Sequence, residues 1–438
     1  MNQLNAHART LAAALVLALA PVTAAAAQEA DTAQSESREQ TPILMRAEQV
    51  VAVINGEANA ADIFTDGFLA AVPIAQLETI SAQLTGQFGR ALAVEAVNPP
   101  SGNRSALAIR MERAIARGGI AIDPADENRV SELLFQNFEP IDDTPEKIVA
   151  DLSALPGSVS TWFGPLGEGE PVIAIEPDAQ MPLGSTFKLY VLAALADEIA
   201  SGTRDWDDVV TLGDTRSFPS GMMQDWPKDA PVTLHTLAAM MVSVSDNTAT
   251  DALIAELGRD AVFEALVASG HSEPTRNAPF LTTREMFLLK GGPQERLAAY
   301  QSGDHDRREA ILAQIETVPL DAAEIEAAFR QGPRALDIEW FASTADVVSL
   351  FRNFLDTGNE EALAIMAINP SITDNARHGW RYVGYKGGSE PGVLHLAWLL
   401  EDEAGQRHAL VLGWKNEDAN LEQSALEVIA QRILSLPR

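Results

Sequence analysis

The sequence predicts a mixed α/β (α+β) protein: an antiparallel sheet assembled from both ends of a large domain, a helical subdomain between those ends, and a small α+β domain in front. Three observations lead there. Strand-like segments at Ser158–Phe163 and Pro171–Glu176 come before a long helical region opening at Ser185, and strands return only at Tyr382–Tyr385, Val393–Leu400 and His408–Trp414. One sheet fed from both ends explains that order economically. The length, 438 residues, is comfortable for two domains, and 46 % apolar with 21 % charged residues is ordinary globular composition.

Along the chain, Arg9 precedes the apolar run Leu11–Ala20, then Pro21 and the small-residue stretch Val22–Ala27. That order predicts a signal peptide over residues 1–27, cleaved after Ala27, and a periplasmic or secreted protein with no stable membrane insertion afterwards. Residues 28–41 are polar and acidic and read as a disordered leader.

From 42 to 142 we expect the small α+β domain. Ala61–Ala71 reads as helical and Ile74–Phe88 as mixed. Leu107, Ile109 and Met111 alternate with polar or small residues as in a half-buried strand, and Val130–Gln136 reads as another strand, the two pairing as a hairpin around Asp123–Asp126. Phe138–Pro145, rich in acids and proline, reads as the linker. The large domain is expected over 150–438, with a helical insertion near 284–338 that has two similar helix starts on either side, Thr282–Met286 and Ser343–Val347, and a closing helix over Leu421–Leu436.

Composition excludes several functions. With no cysteine, disulfides, thiol catalysis and zinc–thiolate or iron–sulfur sites are ruled out. A formal charge of −31 argues against nucleic acid as a partner. The seven histidines have no metal-ligand spacing, so no metal or other cofactor is expected. His395, flanked by apolar residues, reads as packing, and Trp380, Tyr382 and Tyr385 as core or pocket wall.

Three short motifs carry chemistry. In Ser185-Thr186-Phe187-Lys188 the first and last residues share a helical face. A serine there, preceded by Gly184 at a tight entry, gains from the free N–H groups of a helix start, and a lysine of lowered pKa beside it is a candidate base. Ser245-Asp246-Asn247 follows the helical stretch Leu234–Met241, with Asp246 expected to cap the next helix. Lys386-Gly387-Gly388-Ser389 ends the strand Tyr382–Tyr385, where glycines admit close approach to the backbone.

In this order the motifs resemble the S-x-x-K, S-D-N and K-T-G set of the class A β-lactamases and penicillin-binding serine hydrolases. The likeness covers roughly residues 150–438, and K-G-G-S-E-P-G-V resembles a two-domain branch with a steroid-isomerase-like or cystatin-like domain in front. The resemblance implies a β-lactamase/transpeptidase-like fold and an acyl-enzyme on Ser185. It makes Lys188 the activator of Ser185, Ser245 with Lys386 the proton route to the leaving nitrogen, and Asn247 a holder of the substrate amide and the lysine. It places the backbone N–H groups of Ser185 and Ser389 in an oxyanion hole and Gly387, Gly388 and Ser389 along the bound substrate. The implied partner is a small β-lactam, an acyl ester or a peptidoglycan peptide. A D-alanyl carboxypeptidase, an esterase, a sensor that stays acylated and an inactive scaffold with relic motifs remain alternatives.

Two departures stand out. Gly387 replaces the hydroxyl residue of K-T-G. Glu273-Pro274-Thr275-Arg276-Asn277 stands where the family has its deacylating E-x-x-L-N loop, but with Arg276 for the leucine and a shorter run to Thr282. Glu273 is the candidate base, with Asn277 to help hold the water, and slow deacylation is expected.

Overall fold

The computed structural model describes residues 41–141, 143–372 and 379–436. The expected signal peptide and all of the expected leader but Thr41 lie outside the described residues. The chain divides into two compact units between residues 142 and 143.

In the first unit, helices α1 (Pro42–Ile54), α2 (Asp66–Ala71) and α3 (Ile74–Phe88) precede strands β1 (Ala91–Asn98), β2 (Arg104–Met111), β3 (Ala114–Asp123) and β4 (Arg129–Pro140). The strands form an antiparallel sheet in chain order. Helix α1 packs on β1 to β3 and buries Ile43, Ala47, Val50 and Ile54, one stripe at helical spacing. The segment that reads as mixed, Ile74–Phe88, is a single helix. The expected hairpin is corrected: β3 runs between the two expected strands, and the Asp123–Asp126 turn joins β3 to β4. Arg117-Gly118-Gly119 hides β3 from a pattern search. Gly118 sits at a register shift against β4, where a Cβ would lie 1.7 Å from the Leu134 carbonyl oxygen, so the bulge itself requires the glycine. The expected linker shrinks to residues 141–144, because Phe138–Pro140 completes β4 and Pro145 opens the next helix.

The second unit starts with α4 (Pro145–Ser153), whose Thr144 cap and first-turn proline form a helix start that the sequence reading passed over. Strands β5 (Ser158–Pro165), β6 (Ile173–Ile175) and β7 (Met181–Pro182) follow, then α5 (Lys188–Ala200), β8 (Val209–Thr211), β9 (Pro231–Thr233), α6 (Leu234–Ser243), α7 (Asn247–Leu257) and α8 (Arg259–Ala268). The region read as an insertion folds as α9 (Thr283–Gly291), α10 (Gln294–Gln301), α11 (His305–Ile315) and α12 (Ala322–Phe329). Then come β10 (Phe341–Ala342), α13 (Thr344–Thr357), α14 (Glu360–Ala367), β11 (Tyr382–Glu390), β12 (Val393–Glu401), β13 (Arg407–Lys415) and α15 (Gln423–Leu434). The two similar helix starts both close capping boxes, Thr282 with Glu285 on α9 and Ser343 with Asp346 on α13.

The main sheet has the order β11-β12-β13-β5-β6, antiparallel throughout, with β13 and β5 paired from Lys415–Ser158 to His408–Pro165. Both of its faces are covered. Ala397, Leu399, Ala409 and Val411 join the core around α5, whereas Leu396, Trp398, Leu410 and Leu412 join the one around α4 and α15. That is why Val393–Leu400 is an unbroken apolar run save His395. Arg432 of α15 is buried and grips Asp143 and Asp151, the latter on α4, so the first and last helices of the unit are ion-paired. Helix α5 is buried continuously from Lys188 to Ala196 and forms the centre of the helical part.

Candidate functional site

Ser185 lies in a 3₁₀ turn, Gly184–Phe187, and α5 starts three residues later at Lys188. The expected α-helical start is therefore tighter than read. With three residues per turn, positions 185 and 188 still fall in line. Gly184 takes φ +48°, a left-handed conformation that suits glycine. Strand β11 lies directly against this turn. A Cβ on Gly388 would stand 2.2 Å from the Ser185 nitrogen and 2.2 Å from the Leu183 oxygen, and one on Gly184 would stand 2.8 Å from the Ser389 nitrogen. Two bare glycines thus bring the amides of Ser185 and Ser389 to one place.

Ser245 and Asn247 flank Asp246 at the start of α7. Asp246 caps that helix through Ala249 N–H (2.9 Å) and also accepts from Met222 (2.6 Å) and Met223 (2.8 Å), so its role is structural. Held in this way, Ser245 adopts φ +58° and stands between two buried lysines. Its hydroxyl is 3.2 Å from Lys188 Nζ and 3.0 Å from Lys386 Nζ. Lys188 Nζ also donates to the Ser245 carbonyl (2.7 Å) and to Asn247 Oδ1 (2.7 Å). Burial, reinforced by the Lys386 charge, holds the Lys188 ammonium well below the usual lysine range. Burial alone pulls Lys386 down to about 7. In its neutral form Lys188 spends its two N–H groups on partners that only accept, which leaves its lone pair for a hydroxyl proton.

The candidate deacylation loop has a different geometry from the one its spacing suggested. Asn277 is buried, and both ends of its amide are engaged by β10: Nδ2 donates to the Phe341 carbonyl (3.0 Å) and Oδ1 accepts the Phe341 N–H (2.8 Å). His271 completes the anchor. Its Nδ1 accepts the Glu273 N–H (3.1 Å), which leaves Nε2 as the donor to the Phe341 carbonyl (2.7 Å). Asn277 therefore fastens the loop to β10, spending one amide N–H and one oxygen lone pair there. Arg276, in the place of the family's leucine, lays its guanidinium 3.8 Å from the Phe341 ring centroid. The Glu273 side chain is exposed.

A family model described as the beta-lactamase enzyme family matches residues 144–435. The chain belongs to the beta-lactamase enzyme family. It is a serine hydrolase of that family, with the family's mixed α/β fold. Comparison with curated proteins gives no match. Among solved structures it is similar to PBP-A, at 16 % identity over 67 % of this chain and 94 % of that one, with a TM-score of 0.46. It is also similar to β-lactamases from Sphaerobacter thermophilus (19 %, 67 % and 97 %, TM-score 0.46) and from Chitinophaga pinensis (17 %, 66 % and 96 %, TM-score 0.45).

Three features of this beta-lactamase-family site lie outside the motifs. Tyr385, two residues before Gly387 on β11, leans over it: a Cβ on Gly387 would be 2.0 Å from the Tyr385 hydroxyl. Asp251, a buried residue of α7, accepts from Ser217 Oγ (2.6 Å), Thr283 N (2.7 Å) and Arg284 N (3.0 Å). Glu339 and Glu390 meet Lys290 in the interior. Asp251 and the Lys290 cluster have no local spacing signal, because each joins elements far apart in sequence, whereas Tyr385 and Gly387 share a face of β11 at the two-residue strand period. His395 stays a core residue: its Nδ1 meets Thr186 Oγ1 at 3.2 Å, and burial lowers it to about 3.

Proposed function

We propose that the enzyme opens β-lactam rings through an acyl-enzyme on Ser185. The observation that supports this reading is the Ser245 hydroxyl held between two buried lysines of lowered pKa. Neutral Lys188 takes the Ser185 hydroxyl proton as Oγ bonds to the lactam carbonyl carbon. The oxygen gains negative charge and is met by the Ser185 and Ser389 amides. As the C–N bond breaks, Ser245 gives its proton to the leaving nitrogen and is reprotonated from the lysines that flank it. Asn247 keeps Lys188 oriented.

Hydrolysis of the ester needs a water and a base within hydrogen-bond reach. Glu273 is exposed and Asn277 is tied into β10, so deacylation is slow and the acyl-enzyme accumulates. The same observation favours the second reading, a β-lactam or peptidoglycan sensor that stays acylated. Export with cleavage after Ala27 completes the proposal, and N-terminal sequencing of the exported protein tests it.

Intact-mass analysis after exposure to a penicillin, a cephalosporin and a simple ester tests the reaction. The expected result is a gain of one whole penicillin, with none in Ser185→Ala. Labelling that persists in Ser185→Ala overturns Ser185 as the nucleophile, and an ester adduct without a β-lactam adduct makes the enzyme an esterase.

A further inference from the structure

Three ionisable side chains outside the catalytic motifs meet behind the two amides of the site. Lys290, the penultimate residue of α9, has no exposed side-chain surface. Its Nζ lies 2.5 Å from Glu390 Oε1 and 3.5 Å from Glu339 Oε1. Glu339 accepts the Trp340 N–H at 3.2 Å, and the Gly184 N–H also points to this carboxylate. Gly184 immediately precedes Ser185, and Glu390 immediately follows Ser389. Lys290 therefore stands between the two chain segments that carry the Ser185 and Ser389 amides.

We propose that Lys290, Glu339 and Glu390 are positioning residues that fix the separation of the Ser185 and Ser389 amides, and so set the oxyanion hole of the acylation reaction; this rests on the acyl-enzyme reading above. Taking an ammonium and two carboxyl groups out of water is expensive, and a well-packed apolar cluster of similar volume is often as stable or more so. The arrangement is also unbalanced. Burial, opposed by Lys290 and reinforced by Glu339, pushes the Glu390 carboxyl above the usual carboxylate range, and its second oxygen is buried without a partner. What such a cluster supplies is directionality: short polar contacts specify distance and angle more sharply than apolar packing does. An oxyanion hole needs that, since its two donors must converge on one oxygen at hydrogen-bond distance.

The test compares Lys290→Met, Glu390→Leu and Glu390→Gln in the full chain. Two quantities are read: hydrogen exchange of peptides covering 183–187 and 386–391, and the maximal acylation rate by penicillin with its half-saturating concentration. Glu390→Gln keeps the side-chain length and an acceptor oxygen for Lys290 Nζ and is expected within about threefold of wild type in both. Lys290→Met and Glu390→Leu are expected to exchange at least about tenfold faster in both segments. Their maximal rate should fall at least about tenfold, with the half-saturating concentration within about threefold, the signature of an interaction made in the transition state. Glu390→Leu sits at the end of a strand, so it remains readable if Lys290→Met does not fold. Unchanged exchange, or an unchanged maximal rate, in a folded Lys290→Met or Glu390→Leu overturns the proposal. If wild type takes no label from any β-lactam, the acyl-enzyme reading falls, and the exchange measurement still decides whether the cluster holds the two segments.

Discussion

Gly388 and Ser185 touch through their backbones, because a single methyl group on Gly388 would come within 2.2 Å of the Ser185 nitrogen. The atoms around that methyl are main chain, so neither side can yield by rotating a side chain. Gly388→Ala is expected to push β11 away from the nucleophile turn. A misplacement near 1 Å costs about a hundredfold in rate, and overpacking costs about 1–3 kcal/mol of stability. Acylation kinetics and a melting curve check both effects. Gly167→Ala, where a Cβ has nothing within 4 Å, should leave both unchanged.

Restoring the family's hydroxyl at position 387 should not improve the enzyme. Threonine there places its Cβ 2.0 Å from the Tyr385 hydroxyl, a group that also bonds to Ser371. Gly387→Thr alone is expected to cost about 1–3 kcal/mol. Shortening the neighbour with Tyr385→Ser in the same chain should recover part of that cost. A double-mutant cycle by urea denaturation is expected to give a coupling of about 1 kcal/mol or more.

In the deacylation loop, the exposed Glu273 and the buried Asn277 should behave in opposite ways. Glu273→Gln is expected to change deacylation by less than about threefold, against the 10²–10⁴-fold of a general base. Asn277→Ala leaves the Phe341 N–H without its partner, while the carbonyl keeps His271 Nε2, and should cost about 1–3 kcal/mol in stability. Adduct lifetime by mass spectrometry checks the first, and chemical denaturation the second. An acyl-enzyme trapped by Glu273→Gln would instead make Glu273 the base.

Stability should depend on pH through Lys386. Its folded value is about 7, against about 10.4 for an unfolded lysine. Between those values the unfolded chain binds more protons, so stability rises with pH; below about 7 the penalty is full and constant. Compared with Lys386→Met, wild type should gain about 1.4 kcal/mol per pH unit from roughly 7 to 10. Paired denaturation curves at pH 6 and pH 9 check the sign.

The strands of the main sheet and the three motifs were legible because each signal is local. An apolar run covered on both faces marks β12, and Ser185-Thr186-Phe187-Lys188 and Ser245-Asp246-Asn247 are four and three consecutive residues. What stayed hidden depends on distant partners. Strand β3 is broken by a bulge that only β4 explains. Asn277 sits at the right distance from Glu273 to suggest water binding, yet its amide is claimed by Phe341, 64 residues on. Lys290 reads as an ordinary charge on an amphipathic helix until Glu390, 100 residues later, closes on it.

The pairing of β5 with β13 also sets the order in which the molecule can come together. Residues 158–165 wait for 407–415, and Arg432 waits 289 residues to find Asp143. On a growing chain the early strands β5 and β6 have no partner on the β13 side until nearly everything else has been made. The helices from α5 to α14 lie wholly between these ends and can compact first. Closing the sheet is then a late step that joins very distant segments and pays for a large loop, so folding should be slow even if the finished enzyme is stable. Until that step the exposed strand edges are open to other chains, a hazard that losing β13 would make permanent.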